Sequence, residues 1–529
     1  MPIRRMLLAV CGLVGALAAF ASAPTAAQTP QRGGTLVFAV NSEPPSYDCI
    51  NTTTFVAMQT LSPFYSTLLK YDPDKFPEIR GDLAESWSVS ADGRAYTFRL
   101  RSGVKFHDGA ELTADDVRAT FERIRRPTQG IVSVRQSDYE DIASIETPDA
   151  RTVVFRLTAP NASMLLNFAS PWNCVMRAAD LARDPRAPER AINGTGPYRL
   201  GEHSRGSHLT GQRNATYFEP GKPYLDGFRI VFMSGAAMVN ALQGGQIMAE
   251  FRGLTPAERD RLVAAAPDRF KVEESPWVCK MDVYFNHRKP PFDDERVRRA
   301  LTLAIDRWTG SAALSRTVFV KAVGASLRPG DALAMSDAEI EKYPGFGRNG
   351  AAAKAEARRL LQEAGQSNLR FKLVTRNVPM PFQPMAVWLI DQWRQVGVTV
   401  ENTPMEVAQQ KATYIAGNHE VGLDSNCVDV DDPNQMLRLY VSSTRSPTNF
   451  SLYEDATLDE LFERQRRTSD AAERRRLIRE FEDRYLSRSM TAPLLWWHRI
   501  VVYDKRIQGW KALPSHYLNQ DLAGVWLAN

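Results

Sequence analysis

The stretch Asp82–Val117, "DLAESWSVSADGRAYTFRLRSGVKFHDGAELTADDV", decides how this chain is read. Trp87 and Val89 alternate with polar residues, Asp92-Gly93 is a hairpin dipeptide, and Tyr96, Phe98 and Leu100 alternate again. That spacing predicts two antiparallel strands joined by a tight turn. The period then changes. Thr113 stands where a helix cap is wanted, Asp115 and Asp116 fall in the first turn, and Val117, Phe121 and Ile124 recur on one face. A capped amphipathic helix therefore follows the hairpin directly, which points to a mixed α/β fold.

The mixture continues on either side. "GGTLVFAV" from Gly33 is a strand pattern that runs into the turn-rich "NSEPPSYD". Downstream, Asp293 or Asp294 caps a helix with Val297, Leu301, Ala304 and Ile305 on one face. The helices "NGAAAKAEARRLLQEAG" and "MAVWLIDQWRQVG" stop at Gly365 and Gly397, and the strands "LRFKLVT" and "VTVEN" follow them. Helices alternating with strands across such stops predict βα units around a partly parallel sheet. In "RQRRTSDAAERRRLIRE" the arginines interleave with Asp470, Glu473 and Glu480, so the run reads as a solvated helix face rather than a polyanion site.

The chain has 529 residues, enough for two or three domains. Its start, Arg4 and Arg5 ahead of an apolar run from Met6 to Phe20 and then small residues, has the layout of a secretory signal peptide, 1–27, cut after Ala27. Bulky Val10 before Cys11 disfavours lipid attachment. Losing the leader removes Arg4 and Arg5 and lowers the net charge from +5 to +3, a mild excess that does not call for nucleic acid. Of five cysteines, Cys49, Cys174, Cys279 and Cys427 then remain. They match no zinc template, and in an oxidising compartment they read as two disulfides.

Several chemistry-bearing motifs are missing: the sequence has no GxxxxGK[ST], HExxH or GxSxG. One SxxK match, Ser102 to Lys105, lies in a hairpin pattern with no partner motif. Seven histidines include no pair at helical ligand spacing. No catalytic residue, metal site or cofactor is assigned. The acidic cluster "CVDVDDPNQM", Cys427–Met436, stays open on residues alone: a metal site, a catalytic carboxylate pair, or one useful aspartate among bystanders.

The stretch Asp82–Val117, with "INGTGPYRL" at Ile192–Leu200 and "YFNHRKPPFDDERVRRALTLAIDR" at Tyr284–Arg307, resembles the dipeptide/oligopeptide-binding family (family 5, cluster C) of extracytoplasmic solute-binding proteins. These serve ATP-binding-cassette importers. The resemblance runs in order from about Gly33 to Trp510. It implies a type II periplasmic-binding-protein clamshell with two α/β lobes and an extra inserted domain: lobe I from 28–70, 190–278 and 496–529, the inserted domain at 71–189, and lobe II at 279–495. The chain would cross between lobes near Cys279–Asn286 and Leu494–His498, forming a hinge.

Site residues follow from the resemblance one by one. The acid four before Pro433 is Asp429, matched to the residue that pairs with a ligand ammonium. Asp432-Pro433 would organise the turn and Asp431 would face solvent. Asn426 replaces the family's tryptophan and would shape the pocket for the ligand's side chain. Cys427, two before Asp429, and Cys279, seven before Asn286, match a disulfide of some oligopeptide binders, so the resemblance implies Cys279–Cys427, a staple across the lobes, and leaves Cys49 and Cys174 to each other. Aligned on Trp393, Arg376 matches an arginine that takes a ligand carboxylate, and a planar guanidinium suits that task. Trp496 and Trp497 would line the cleft or pack the hinge, and Tyr47 and Asp48 lie where relatives also touch ligand.

The implied function is a periplasmic binder, not an enzyme, that hands a short peptide or amino-acid-like zwitterion to an importer's permease and cytoplasmic ATPase. It would work as a monomer. The alternatives are the same fold holding an opine, sugar, aromatic acid or metal chelate and, more remotely, a secreted hydrolase using Asp429 with Asp431 or Asp432.

Overall fold

The computed structural model describes residues 29–529; the leader reading, with Cys11, falls outside them. Two long strands organise the rest. Phe270–Phe285 has 16 residues and Ala492–Asp504 has 13, where an ordinary strand has about 5–6. They pair antiparallel from Phe270↔Asp504 to Val283↔Ala492. Trp277–Phe285 and Ala492–Trp497 are buried residue after residue, as a strand covered on both faces requires.

These strands form the middle of an 11-stranded sheet. On one side lie Val421–Cys427, Arg370–Arg376 and Thr399–Met405, parallel to one another. On the other come Ala249–Glu250, Thr35–Val40 and Gly227–Phe232, then antiparallel His208–Arg213 and Tyr198–Ser204. The sheet thus runs through both lobes. Its register breaks between Pro276 and Lys280, opposite Trp496–His498; Pro276 has no N–H to give a ladder.

The βα units appear where the glycine stops place them. Asp294 caps the helix Glu295–Leu303, its Oδ1 accepting the Arg296 N–H at 2.8 Å. Helices Gly350–Glu363 and Phe382–Arg394 end before Gly365 and Gly397, at φ of +70° and +90°.

The stretch Asp82–Val117 builds a separate body. Ala84–Val89 and Ala95–Leu100 pair through the Asp92-Gly93 turn, and Thr152–Leu157 and Ile142–Asp149 complete a four-stranded antiparallel sheet. Helix Ala114–Arg125 is closed by a reciprocal Thr113–Asp116 capping box. Phe121 on its inner face meets the rings of Phe155 and Phe168 at 5.0 and 5.5 Å. One detail departs from the alternation: Val89 is exposed, because its strand is at the sheet's edge with a neighbour on one side only.

Both disulfides are present, Cys49–Cys174 and Cys279–Cys427. The second corrects its expected role: Cys279 and Cys427 are directly opposed on adjacent strands, so it staples neighbours within the sheet rather than one lobe to the other. The arginine run is also only partly solvated. Arg467 and Arg476 pair with Glu463, Glu473 and Glu480 on an exposed face. Arg466, however, is buried against Asp141 and Glu140, and Arg474 reaches Asp432 and Ser163 Oγ at 3.2 and 3.1 Å. Neighbours in sequence here serve different surfaces, because helical periodicity turns every third or fourth side chain toward the body with the small sheet.

Asp48 is likewise turned inward. Its carboxylate takes a two-pronged bond from Arg123 of helix Ala114–Arg125, Nη1 to Oδ1 at 3.1 Å and Nη2 to Oδ2 at 2.6 Å, both side chains being buried. It therefore ties the first loop to the small-sheet body rather than facing a ligand. Removing one member of such a pair strands the other's charge, so Asp48→Ala is expected to cost about 3–5 kcal/mol in urea denaturation. A loss under about 1 kcal/mol, the worth of an exposed pair, would show the bond to be incidental.

Candidate functional site

The acidic cluster is taken apart by alternation. Val428 packs into the core around the long strands, whereas Val430 enters the core of the small-sheet body. Asp429, between them, is left at the boundary. Its Oδ2 accepts from Ser170 Oγ at 2.7 Å and its carbonyl from Ser515 Oγ at 2.8 Å. Among the described residues no cation lies within ion-pair distance of it. Asp431, expected to face solvent, instead pairs with Arg328 at 2.6 Å and is buried. Asp432 caps the short helix Pro433–Leu437 and bonds Ser163 and Arg474. The three carboxylates thus point to three different partners, leaving no acid–base pair, and among the described residues no group of acids, histidines or cysteines could hold a metal.

Residues that sequence reasoning did not single out complete the surroundings of Asp429. Trp172, two residues after Ser170, lies under the Arg135 guanidinium at 3.9 Å, and Tyr517 packs on the same indole at 5.5 Å. Asp138 stands three residues from Arg135. Burial first, then the charge of Asp429, pushes the Asp138 carboxyl up to about 6, against the pull of Arg438 and Arg135. Tyr517 is raised to about 12 for the same two reasons. Ala169 and Pro171, the neighbours of Ser170, line a cavity of about 580 Å³ together with Tyr71 and Tyr517, a volume suited to a small ligand. The only sequence signal for this loop was the lone arginine in "IVSVRQSDY".

The remaining expected ligand residues are placed elsewhere. Arg376 ends its strand with Nε 2.7 Å from buried Asp424, which also holds Lys411 at 2.7 Å. Two cations thus share this one carboxylate. Asn426 is buried and donates to Asp282 Oδ2 at 2.8 Å and to the Tyr284 hydroxyl. Asp282 in turn pairs with buried Lys280 at 3.3 Å, and Lys280 lies over the rings of Tyr440 and Trp496. Trp497 meets Trp277 and Phe319 at 5.3 and 4.9 Å. Both tryptophans are packed in the core beside the register break. Tyr47 is engaged with His203.

Comparisons with known proteins agree with this architecture. The chain is 27% identical to the peptide transport periplasmic protein SapA of Salmonella typhimurium, over 98% of this chain and 97% of that one. It is also 27% identical to the glutathione-binding protein GsiB of Escherichia coli K12, over 91% and 92%. Among solved structures it superposes on the periplasmic binding protein DppA of Helicobacter pylori in complex with the peptide STSA, with a TM-score of 0.79 and 23% identity over 94% of this chain and 99% of that one. That likeness establishes the two-lobe fold. Residues 78–448 match the model of the bacterial extracellular solute-binding proteins, family 5 Middle. That match covers more than half of the chain, which therefore belongs to this family of importer solute-binding proteins, which are not enzymes.

Proposed function

We propose that this protein is exported to the periplasm by its 1–27 leader and, as a monomer, captures a short peptide or peptide-like zwitterion for an ATP-binding-cassette importer. Asp429 would take the ligand's ammonium. The observation that carries this reading is an aspartate at the boundary between bodies with no cation partner among the described residues, bonded to Ser170, whose neighbours Ala169 and Pro171 line a cavity of about 580 Å³. Placing an ammonium against it makes a charge-assisted bond out of water, stronger than a neutral one. The names of SapA, GsiB and the DppA complex, which mention peptides and glutathione, support this ligand class.

The proposed division is lobe I at 28–70, 190–278 and 496–529, the inserted domain at 71–189, and lobe II at 279–495. The register break at Pro276–Lys280 supports a hinge there, since an interrupted ladder resists bending less than a continuous one. Ligand contacts made on both sides of the cleft would then favour the closed form.

Thermal shifts with di- to pentapeptides test the reading: a ligand at a hundredfold excess over Kd adds about 2.7 kcal/mol of stability. Null shifts, with no peptide-like molecule released from the denatured protein on mass spectrometry, would sink it. Asp429→Asn is expected to weaken ligands with a free ammonium about 10- to 100-fold and N-acetylated ones little. Equal losses would remove the ammonium assignment.

Asp138 adds a pH dependence. The groups acting on it are Asp429, Arg438, Arg135 and Glu140. Its raised pKa means the unliganded folded protein holds this proton more tightly than the unfolded chain. Its contribution to stability is thus lost as pH rises from about 4 to about 6. A ligand cation favours the carboxylate and expels the proton, so affinity for cationic ligands should rise over the same window and level off above it. Calorimetric titrations across pH should show this slope, and Asp138→Asn should flatten it; an unchanged slope would acquit Asp138.

A further inference from the structure

Buried guanidinium groups in this protein fall into two kinds. Half are matched by a carboxylate, as Arg123 is by Asp48 and Arg466 by Asp141. Arg298, Arg307 and Arg499 lack one, but backbone carbonyls surround them. Arg307 donates to those of Pro493, Thr302, Ile305 and Gly345, and Arg499 to those of Arg252, Leu513 and Phe251.

Arg135 belongs to neither kind. It is only 7% exposed, yet among the described residues its single hydrogen bond runs from Nη1 to the Thr52 carbonyl at 2.9 Å, and no carboxylate lies within ion-pair distance. Its plane is fixed by the Trp172 ring at 3.9 Å. A guanidinium has five N–H donors, so most of the fork is left unused at a site from which water is largely excluded. A buried, unmatched charge is costly, and a group held ready at that cost is suited to an anion that arrives with the ligand.

The same short loop touches both charged groups. Ser170 holds Asp429 at 2.7 Å and Trp172 carries Arg135. Of the carboxylates acting on Arg135, Asp429 acts most strongly. Asp429 and Arg135 thus contact residues two apart in one loop, each without an ion-pair partner among the described residues.

We infer that Arg135 and Asp429 together recognise a compact zwitterionic head, with Arg135 taking a carboxylate borne close to the ammonium that Asp429 takes. This rests on the peptide-like reading and sharpens it. A free α-amino-acid head, as in a γ-glutamyl compound, places both charges on one carbon, whereas an α-linked peptide separates them by at least a residue. Arg376 is held on Asp424, and Arg135 takes the anion in its place. Inserting such a head replaces one long unmatched pair with two short charge-assisted ones, and the body of the ligand extends into the cavity beside Pro171 and Tyr517.

The test compares two isomers of one composition, γ-Glu-Ala and α-Glu-Ala, and the α-carboxamide of the first, by calorimetry on the full protein. Wild type is expected to bind γ-Glu-Ala about 10- to 100-fold more tightly than either of the others, the range for a charge-assisted contact. In Arg135→Gln both preferences should shrink to about threefold or less, and in Arg135→Lys, which keeps the charge but not the fork, they should fall between. These are ratios within each variant, so lost folded protein does not imitate the effect, and circular dichroism checks folding. If peptides bind but α-Glu-Ala equals γ-Glu-Ala, or Arg135→Gln keeps the full amide penalty, this inference fails while the peptide reading stands. If no peptide of any linkage shifts the wild type, the peptide reading fails first and takes this one with it.

Discussion

The structure depends on the antiparallel pairing of Phe270–Phe285 with Ala492–Asp504. Strands this long can be satisfied only if both faces and both edges are covered along their whole length. One end therefore recruits Ala249–Glu250 and Thr35–Val40, and the other Val421–Cys427. Two cores condense around a single ladder instead of two separate sheets. The ladder falters at Pro276–Lys280, and the buried aromatics Trp277, Trp496 and Trp497 fill the space beside it.

The polar interior of the protein shows what the sheet leaves to be solved. Lys280, Asp282, Asp424 and Asn426 sit on two paired strands with their side chains buried, and each meets a partner: Asn426 and Lys280 at Asp282, Arg376 and Lys411 at Asp424. A buried polar layer is tolerable only when it is closed in this way. Burial depresses the pKa of Lys280 and Asp282 opposes that. Against this background the loop around Arg135 stands out by its open valences, and the contrast is chemical rather than positional.

Much of the fold could be read from the chain because its signals are local. The alternation of Tyr96, Phe98 and Leu100, the Thr113 cap and the stops at Gly365 and Gly397 each lie within a few residues of the element they define. Asp429 and the Cys279–Cys427 bond came from fixed offsets in a family resemblance, and the structure forms that bond. What stayed hidden depends on distant partners. Nothing near Asp48 announces Arg123, nothing near Arg376 announces Asp424, and Arg466 and Arg467 are adjacent in a charge run yet meet opposite surroundings. Arg135 gains its meaning from Thr52 and Trp172, which the chain brings to it from either side.

The order of strands also bears on how the chain assembles. Thr35–Val40 pairs with Gly227–Phe232 and Ala249–Glu250, but the strand between Ala249–Glu250 and Phe270–Phe285 is Ala492–Asp504, close to the carboxyl end. The centre of the sheet is therefore its last part to be made, whereas the small-sheet body, contiguous from Ala84 to Leu157, can condense early from near neighbours. Contacts of such long sequence separation slow folding and leave strand edges exposed meanwhile. Until Ala492–Asp504 emerges, Phe270–Phe285 offers an unpaired edge, and this is the point at which a chaperone's protection would matter most.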